Sequence, residues 1–567
     1  MTNSTNQIII MKKLITIFLC FFFSQIVSAQ NEFITTWKPG NSQNPLPNSP
    51  PFASSDTQAW APFQGTNFTI YWEEIGYPSH NMTLQNVTSS NYILLDFGPS
   101  LNPVPASATY KVKVSNGNGN FHRISFRDDI PSGNVNNMMG DYGKIVEINQ
   151  WGSIAWSSMA YAFERCENLN MTATDVPDLT AVTSLDYMFS GCSTLIGNNS
   201  INNWNISSVN SLVGTFNGCF VFNQPIGNWN TSNVQNMGVL FLMCQNFNQP
   251  IGNWNTSQVV SMDGMFNNAR SFNQPIGNWE VSNVIEMEFM FAYAWGFNQP
   301  LENWNVSGVI EMDYMFLSAK LFNQPIGSWN TSSVSTMNGM FLNATAFNQP
   351  IGNWNTASVL TMNAMFQNAS AFNQNIGNWN TSQVTTIQSM FMNASSFNKD
   401  LGKWNLTSIV NANNMFLNSG LNCQNYDSTL YGWSLNPSTP NNIILSSVSP
   451  MNYAHPAAVT ARNYLINNKG WSIVGDTYDA ECSSVLSTTE NIAHANLSIY
   501  PNPASDFIFI KNLKNPANYK ISDTSGRLLK EGKIVSEKVD VNVLPKGNYI
   551  LQIVTKDNIQ SYKFIKK

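Results

Sequence analysis

Charge is scarce in this chain. Asp, Glu, Lys and Arg make up 11% of it, against about a quarter in an ordinary globular domain. Asn, Ser, Thr and Gly fill the shortfall, while aromatics hold at 12%. A disordered chain would show few aromatics and more charge, so this composition supplies cores. No basic patch is present, which argues against nucleic acid as a partner. The formal net charge of −6, spread over 567 residues, selects no partner class. The length calls for several domains rather than one core. Histidine is rarer still. His80, His122, His455 and His494 are the only four, and none stands at a metal-ligand spacing. Glycine-rich phosphate loops and nucleophile elbows are missing. In the adjacent pairs Glu73-Glu74 and Asp128-Asp129, neighbours on a strand point to opposite faces, so neither makes a general acid/base couple. Glycoside hydrolysis needs two carboxylates across a cleft, and residues 201–279 carry only Asp263 and Arg270 as charges. The expectation is a protein that is not an enzyme, with no catalytic residues, no metal and no cofactor.

Long hydrophobic runs are also lacking. The apolar stretch at residues 14–23 is too short for a bilayer, which needs about 20 residues. With Lys12-Lys13 before it and Val27-Ser28-Ala29 after it, it reads as a secretory signal cleaved after Ala29, with Met1 or Met11 as the start. Cys20 lies inside the run without small residues before it, so a lipid anchor is not expected. No transmembrane segment is expected once the signal is removed. Export permits disulfides, and six cysteines remain: Cys166, Cys192, Cys219, Cys244, Cys423 and Cys482.

What the chain has in abundance is self-similarity. Trp204, Trp229, Trp254, Trp279, Trp304, Trp329, Trp354, Trp379 and Trp404 recur every 25 residues. The Phe of a Met-Phe pair recurs in step from Phe241 to Phe416, and Phe163, Phe189 and Phe216 continue it upstream with looser spacing. About eleven units span residues 151–420. Within one unit, Val259, Met262, Phe266 and Ala269 mark one face of a short helix, with Ser257 placed to cap it. Residues 272–279 contain Pro275 and Gly277 and read as a short strand or extended arc. Stacked units would form an α/β solenoid of short parallel strands plus short helices. No unit could fold alone, because its apolar face needs neighbours. The Trp, Phe and Met columns would stack into a structural ladder in the core, and columns such as Asn223, Asn248, Asn273 and Asn298 could pass amide hydrogen bonds from coil to coil.

The repeat register interprets the remaining residues. Cys166, Cys192, Cys219 and Cys244 stand three residues after the Phe, where later units have Ala269 to Ala394, so they read as small buried residues. A metal site is the sharper alternative, but no histidine is near; disulfides between rungs are geometrically awkward. Cys423 and Cys482 lie outside the repeat and could pair across a terminal cap. The Trp column could form a glycan track, but retention beside Phe, Ile and Met columns suits burial. A binding surface is then expected where units differ. Glu286, Glu288, Glu311, Asp313 and Tyr314 fall on adjacent coils as an acidic patch fit for a cation or basic peptide, set against the plainer reading of a solvated face.

The unit Phe-Asn-Gln-Pro-Ile-Gly-Asn-Trp-Asn-Thr-Ser, then Val, then Met-x-x-Met-Phe-x-x-Ala, resembles the BspA-like leucine-rich repeat surface proteins with DUF285-type repeats. The resemblance covers about residues 150–476 and implies a solenoid of leucine-rich-repeat type with a surface role in binding or adhesion. Leu497-Ser-Ile-Tyr-Pro-Asn-Pro, Ile521-Ser-Asp-Thr-Ser-Gly-Arg and Leu544-Pro-Lys-Gly-Asn-Tyr-Ile resemble in turn a type A sorting domain of the type IX secretion system. That implies a Bacteroidetes-type source, a secretion machinery as partner through residues 497–567, and a cell-surface or extracellular destination. Alternating runs in this stretch also read as a small β-sandwich. The expected organisation is a signal peptide (1–29), a β-rich N-terminal region (30–150), the solenoid (151–420), its C-terminal cap (421–482), a linker (483–496) and the sorting domain (497–567). Adhesion to protein or polysaccharide through an extended solenoid face is the leading functional expectation. A self-associating surface-layer or biofilm component is the alternative. Carbohydrate capture, which needs exposed Trp, is a third.

Overall fold

The computed structural model describes residues 31–41, 54–127, 140–484, 486, 498–511, 513, 517–523, 527–554 and 559–567. Ala29 and the rest of the signal segment, His494, the Asp128-Asp129 pair and most of the linker lie outside the described residues. The chain divides into two compact units, 1–485 and 486–567.

The first unit opens with strands β1 (Phe33–Trp37), β2 (Gln58–Ala61), β3 (Phe63–Glu74), β4 (Tyr77–Ser89), β5 (Ile93–Asp96), β6 (Tyr110–Ser115), β7 (Asn120–Ile124) and β8 (Ile145–Gln150), followed by β9 (Asn170–Met171) in the repeats. One sheet runs in the order β4-β3-β6-β1-β8-β9 with β7 beside β3, and β2 pairs β5 separately. Alternation makes the strands: in β3, Phe68, Ile70 and Trp72 face inward while the residues between them face out. The step from β8 to β9 is parallel, Ile148 opposite Met171. It carries the sheet directly onto the first coil of the repeat.

The repeats themselves differ from the expected α/β solenoid of leucine-rich-repeat type with short parallel strands and short helices. Among the described residues the α-helices are α1 (Cys423–Leu435) and α2 (Pro456–Asn467), both after the repeats. Coil contacts coil through single-residue parallel bridges such as Ser261 to Glu286, Glu286 to Glu311 and Glu311 to Thr336. The longer strands belong to antiparallel or mixed sheets elsewhere. The physical reason lies in the backbone. Each unit places two residues in the left-handed region four apart, for example Gly264 (φ 57°) and Asn268 (φ 61°), and such residues end a right-handed helix. Hydrogen bonds then alternate along the turn. The N–H groups of Met262, Gly264, Phe266 and Asn268 donate to Glu286, Glu288, Met290 and Ala292 of the next coil, at 2.7–3.1 Å. Those of Met265, Asn267 and Ala269 close turns three residues back, at 3.0–3.2 Å. Residues 272–279, expected as an extended arc or strand, form no strand; the bridging residue is ten positions before Ser271, at Ser261.

Side-chain ladders do the stacking. Trp rings lie 6.3–6.5 Å apart and nearly parallel from Trp204 to Trp279 and again from Trp304 to Trp404. Each indole N–H from Trp229 to Trp404 donates to a backbone carbonyl 28 residues back, as Trp354 does to Ile326 at 3.0 Å. On the surface, Asn223 Oδ1 accepts from the Asn248 N–H and the Gln249 side chain at 2.9 and 3.1 Å, and the pattern repeats upward to Asn398. One hydrophobic core runs from Phe33 to Ile473.

Helix α1 closes the stack by imitating a coil. Trp433 donates to the Leu401 carbonyl at 3.0 Å, as the ladder Trp residues do. Asn422 and Asn425 take the next rung of the Asn ladder on Asn398. The helix approaches the last coil where two glycines meet; a Cβ on Gly432 would sit 2.3 Å from the Gly402 carbonyl oxygen. The short parallel pairs β10 (Ile444–Ser447) with β12 (Ser472–Val474), and β11 (Asn452–Tyr453) with β13 (Thr477–Tyr478), complete this end. Arg462 grips Asp476 through Nε and Nη2 at 2.6 and 2.7 Å, and the buried Asp427 accepts from the N–H groups of Ala454 and His455.

The second unit consists of two sheets around one core. β14 (Ser498–Tyr500), β15 (Phe507–Lys511) and β18 (Lys538–Asp540) form one; β16 (Asn518–Asp523), β17 (Leu528–Lys533), β19 (Gly547–Val554) and β20 (Ile559–Lys566) form the other. No described helix is long and apolar enough to cross a membrane.

Candidate functional site

The nine ladder tryptophans, Trp204 to Trp404, are 1–4% exposed. Their faces are covered by neighbouring rings, so they offer no track to a sugar. The four repeat cysteines are free and buried. Three of them donate weakly to the carbonyl of a Phe one coil back: Cys192 to Phe163, Cys219 to Phe189 and Cys244 to Phe216, at 2.8–3.1 Å. Burial pushes all four thiols up, away from the reactive thiolate. Cys423 and Cys482 form a disulfide with Cα atoms 6.5 Å apart, tying the start of α1 to the end of the cap.

What remains for recognition is the outward side of each turn. In the unit 286–295 these positions are Glu286, Glu288, Phe289, Tyr293 and Trp295; one coil later they are Glu311, Asp313, Tyr314, Ser318 and Lys320; one coil earlier, Ser261, Asp263, Gly264, Asn268 and Arg270. From the coil of Thr336 onward the same columns hold Thr, Asn, Gly, Ala, Ser and Gln. The structure therefore brings Glu286, Glu288, Glu311, Asp313 and Tyr314 together, and adds Asp263, Phe289, Tyr293 and Trp295 to them. The Phe289 and Tyr314 rings stack 4.9 Å apart. Trp295 lies between Arg270 and Lys320, whose cations stand 4.2 and 4.7 Å from its ring centre.

Electrostatically the patch is uncompensated. Asp313 is held by Asn338, whose backbone N–H and side-chain amide donate to it at 2.6 and 2.9 Å. Among the described residues Asp263, Glu286, Glu288 and Glu311 have no Lys or Arg within ion-pair distance. Desolvation, then Glu311, Asp263, Asp313 and Glu286, push the Glu288 carboxyl up to about 7. Desolvation first, then Glu286 and Glu311, also raise Asp263. Phe289, Tyr293 and Tyr314 adopt left-handed φ values of 54–57°, a conformation that costs an L-residue with a bulky side chain roughly 1–2 kcal/mol. The corresponding positions further on are Gly339, Asn343, Ala364 and Asn368. Sequence reasoning missed these aromatics. Comparing each unit with the next at an offset of 25 would have found them, as large rings where later units have Gly, Ala, Ser, Thr or Asn.

A second feature lies in the N-terminal sheet. Glu74 is buried and accepts four hydrogen bonds: from His80 Nδ1 at 2.5 Å, Ser100 Oγ at 2.8 Å, and the N–H groups of Leu101 and Asn102 at 2.9 and 2.8 Å. Burial opposes its ionisation, but these donors outweigh burial and lower its pKa. Glu73 points to the opposite face, toward Tyr71 and Lys113. The Glu74–His80 pair clamps the loop after β5 and borders a cleft lined by Trp72, Met82, Leu84, Leu94 and Phe97. Among the described residues no three His, Cys, Asp or Glu side chains converge as a metal site would require.

A stack of near-identical coils, followed by a separate two-sheet unit, defines a repeat protein with an appended tail. Comparison with known families names both parts. Residues 157–273, 240–350 and 319–433 match the family described as Mycoplasma protein of unknown function, DUF285, and residues 498–567 match the secretion system C-terminal sorting domain. Residues 157–433 thus carry DUF285 repeats, and the tail is a sorting domain. The tail directs export by type IX secretion to the cell surface or extracellular space. Among curated proteins none matches the chain.

Proposed function

We propose that this secreted surface protein is not an enzyme and binds protein or polysaccharide ligands through the outward face of residues 261–320. The observation that carries the reading is the uneven decoration of an otherwise uniform stack. Seven carboxylates and two cations fall in residues 261–320, and bulky rings occupy left-handed positions that Gly, Asn, Ala or Ser fill in every later coil. Like charges crowded without counter-ions and strained aromatic positions both cost stability, and function is the usual reason such features persist. Carboxylates beside aromatic faces suit a ligand bringing hydroxyl groups or cations. The mature chain would be screened on glycan and matrix-protein arrays, alongside the triple variant Glu286→Gln, Glu288→Gln, Glu311→Gln and the single variant Trp295→Ala. The reading predicts a ligand whose retention falls at least about tenfold in both, the loss of one hot-spot contact. A ligand retained equally by all three proteins would place the binding face elsewhere, and no retention would remove the binding reading.

One observation favours self-association as a second reading. β4 is 13 residues long, largely exposed, and among the described residues pairs only with β3, which leaves its outer edge for a strand from another copy. Sedimentation across a wide concentration range distinguishes the two readings: a strict monomer excludes this one.

A further inference from the structure

The tail exposes an aromatic strip that its fold does not need. β15 reads Phe-Ile-Phe-Ile-Lys; Ile508 and Ile510 point into the core, whereas Phe507 and Phe509 face out and are each 38% exposed. A sheet with one face in water ordinarily alternates apolar with polar residues. Here Phe509 stands opposite Tyr500 on β14, itself 51% exposed, and opposite Lys538 on β18. The Tyr500 and Phe509 rings stack 5.6 Å apart, and the Lys538 ammonium lies 4.6 Å from the centre of the Phe507 ring. Lys511 closes the end of the strand, opposite Ser498. The strip is therefore already ordered, with one cation at its side on β18 and another at the end of β15. The other sheet is built differently: its central outward row is Glu531, Lys520, Gln552 and Ser561. The enrichment in aromatics is thus a property of one face.

We propose that this face, Tyr500, Phe507 and Phe509 between Lys511 and Lys538, is the surface by which the type IX export machinery receives the tail. The surface it fits is an apolar groove rimmed by carboxylates. Charge selects this occupant. Residues 498–567 carry 12 Lys and Arg against 6 Asp and Glu, and a second copy laid face to face would bring like lysines together, whereas an acidic rim would pair with them. The export machinery is also the partner that the tail's family assigns to it. Aromatic side chains in a packed centre with a charged rim are the usual arrangement of binding hot spots.

The test uses the whole chain, expressed in a bacterium with a working type IX system, measuring the fraction outside the cell against the fraction in the periplasm. Phe507→Thr with Phe509→Thr removes the strip but keeps strand-forming residues. Lys511→Glu with Lys538→Glu reverses the rim and leaves the core untouched. Lys520→Glu with Lys563→Glu is the control on the other sheet. Both face variants are expected to cut the exported fraction about tenfold or more, with protease-resistant chain retained in the periplasm, while the control is exported normally. Export of the Lys511→Glu, Lys538→Glu variant at the wild-type level would overturn the proposal, whatever the aromatic variant does. So would an equal loss in the control, or a wild-type dimer in solution that the aromatic variant dissolves.

Discussion

Replacing Trp354 tests whether the coils are held by their internal ladder. Its ring is 3% exposed and lies 6.3 and 6.4 Å from Trp329 and Trp379, and its N–H donates to the buried Ile326 carbonyl at 3.0 Å. Trp354→Phe keeps most of the ring and removes one of the two hydrogen bonds to that carbonyl, which still accepts from the Trp329 N–H at 3.2 Å, at about 0.5–1.5 kcal/mol. Trp354→Ala adds a cavity, and burial losses for Trp→Ala run at about 3–5 kcal/mol before the lost hydrogen bond is counted. Because each coil touches only its neighbours, the loss should also uncouple the coils on either side. Urea denaturation followed by far-UV circular dichroism would then show Phe milder than Ala, and the Ala variant melting in two steps. A cost below about 1 kcal/mol for Trp354→Ala, or ready quenching of the ladder indoles by iodide in the native protein, would refute the buried-ladder account.

Glu288 supplies a pH signature. Its folded pKa of about 7 stands above the ordinary value of 4.5, so the folded state holds the proton more tightly. Its contribution to stability is complete below the unfolded pKa and is lost as pH rises through about 7. Glu288→Gln should flatten this fall and stabilise the protein at pH 8 by about 1 kcal/mol, after discounting for solvent screening; thermal melts from pH 4 to 8 would show it. The 59-residue separation bridged by Cys423 and Cys482 predicts a loss of about 2–4 kcal/mol in the Cys423→Ser, Cys482→Ser variant, read from denaturant midpoints; an unchanged midpoint would contradict it. Cys166, Cys192, Cys219 and Cys244 should resist maleimide in the native chain and label fully in denaturant. Cys219→Ala should cost less than about 1.5 kcal/mol, since other coils carry Ala there.

The 25-residue period, the inward Trp column and the cysteine register were all legible in the sequence, because a stack repeats its chemistry at fixed intervals. Within the repeats, helix and strand were not legible. The spacing of Val259, Met262, Phe266 and Ala269 fits a helical face, but it also fits a chain turning every three or four residues. The decision lay in Gly264 and Asn268, whose left-handed backbones divert alternate N–H groups to the next coil. In other coils Phe289 and Tyr314 adopt that same conformation, so no glycine signal runs down the column to announce it. For the candidate site, the charges Glu286, Glu288, Glu311 and Asp313 were visible as departures from the repeat. Phe289, Tyr293 and Trp295 were masked by the expectation that aromatics in this chain belong to the core. The Glu74–His80 pair was hidden for a different reason: it forms across the β3–β4 hairpin, and neither residue sits at a spacing that marks a site.

The imitation of a coil by α1 has a consequence for how such a gene can change. The helix meets features that recur from coil to coil, a carbonyl for Trp433, an amide oxygen for Asn425 and a glycine for Gly432. Among the described residues the N-terminal sheet likewise meets the first coil, through β9 and through Phe126 and Arg127 against Tyr161 and Glu164. Neither end reads how many coils lie between them. Loss or duplication of one whole 25-residue unit, by recombination between near-identical DNA segments, would rejoin matching rungs and leave both ends intact. Copy number is then free to drift under selection for reach, while an insertion of any other length would put every ladder out of register. The decorated coils at 261–320 would keep their chemistry and shift only in their distance from either end.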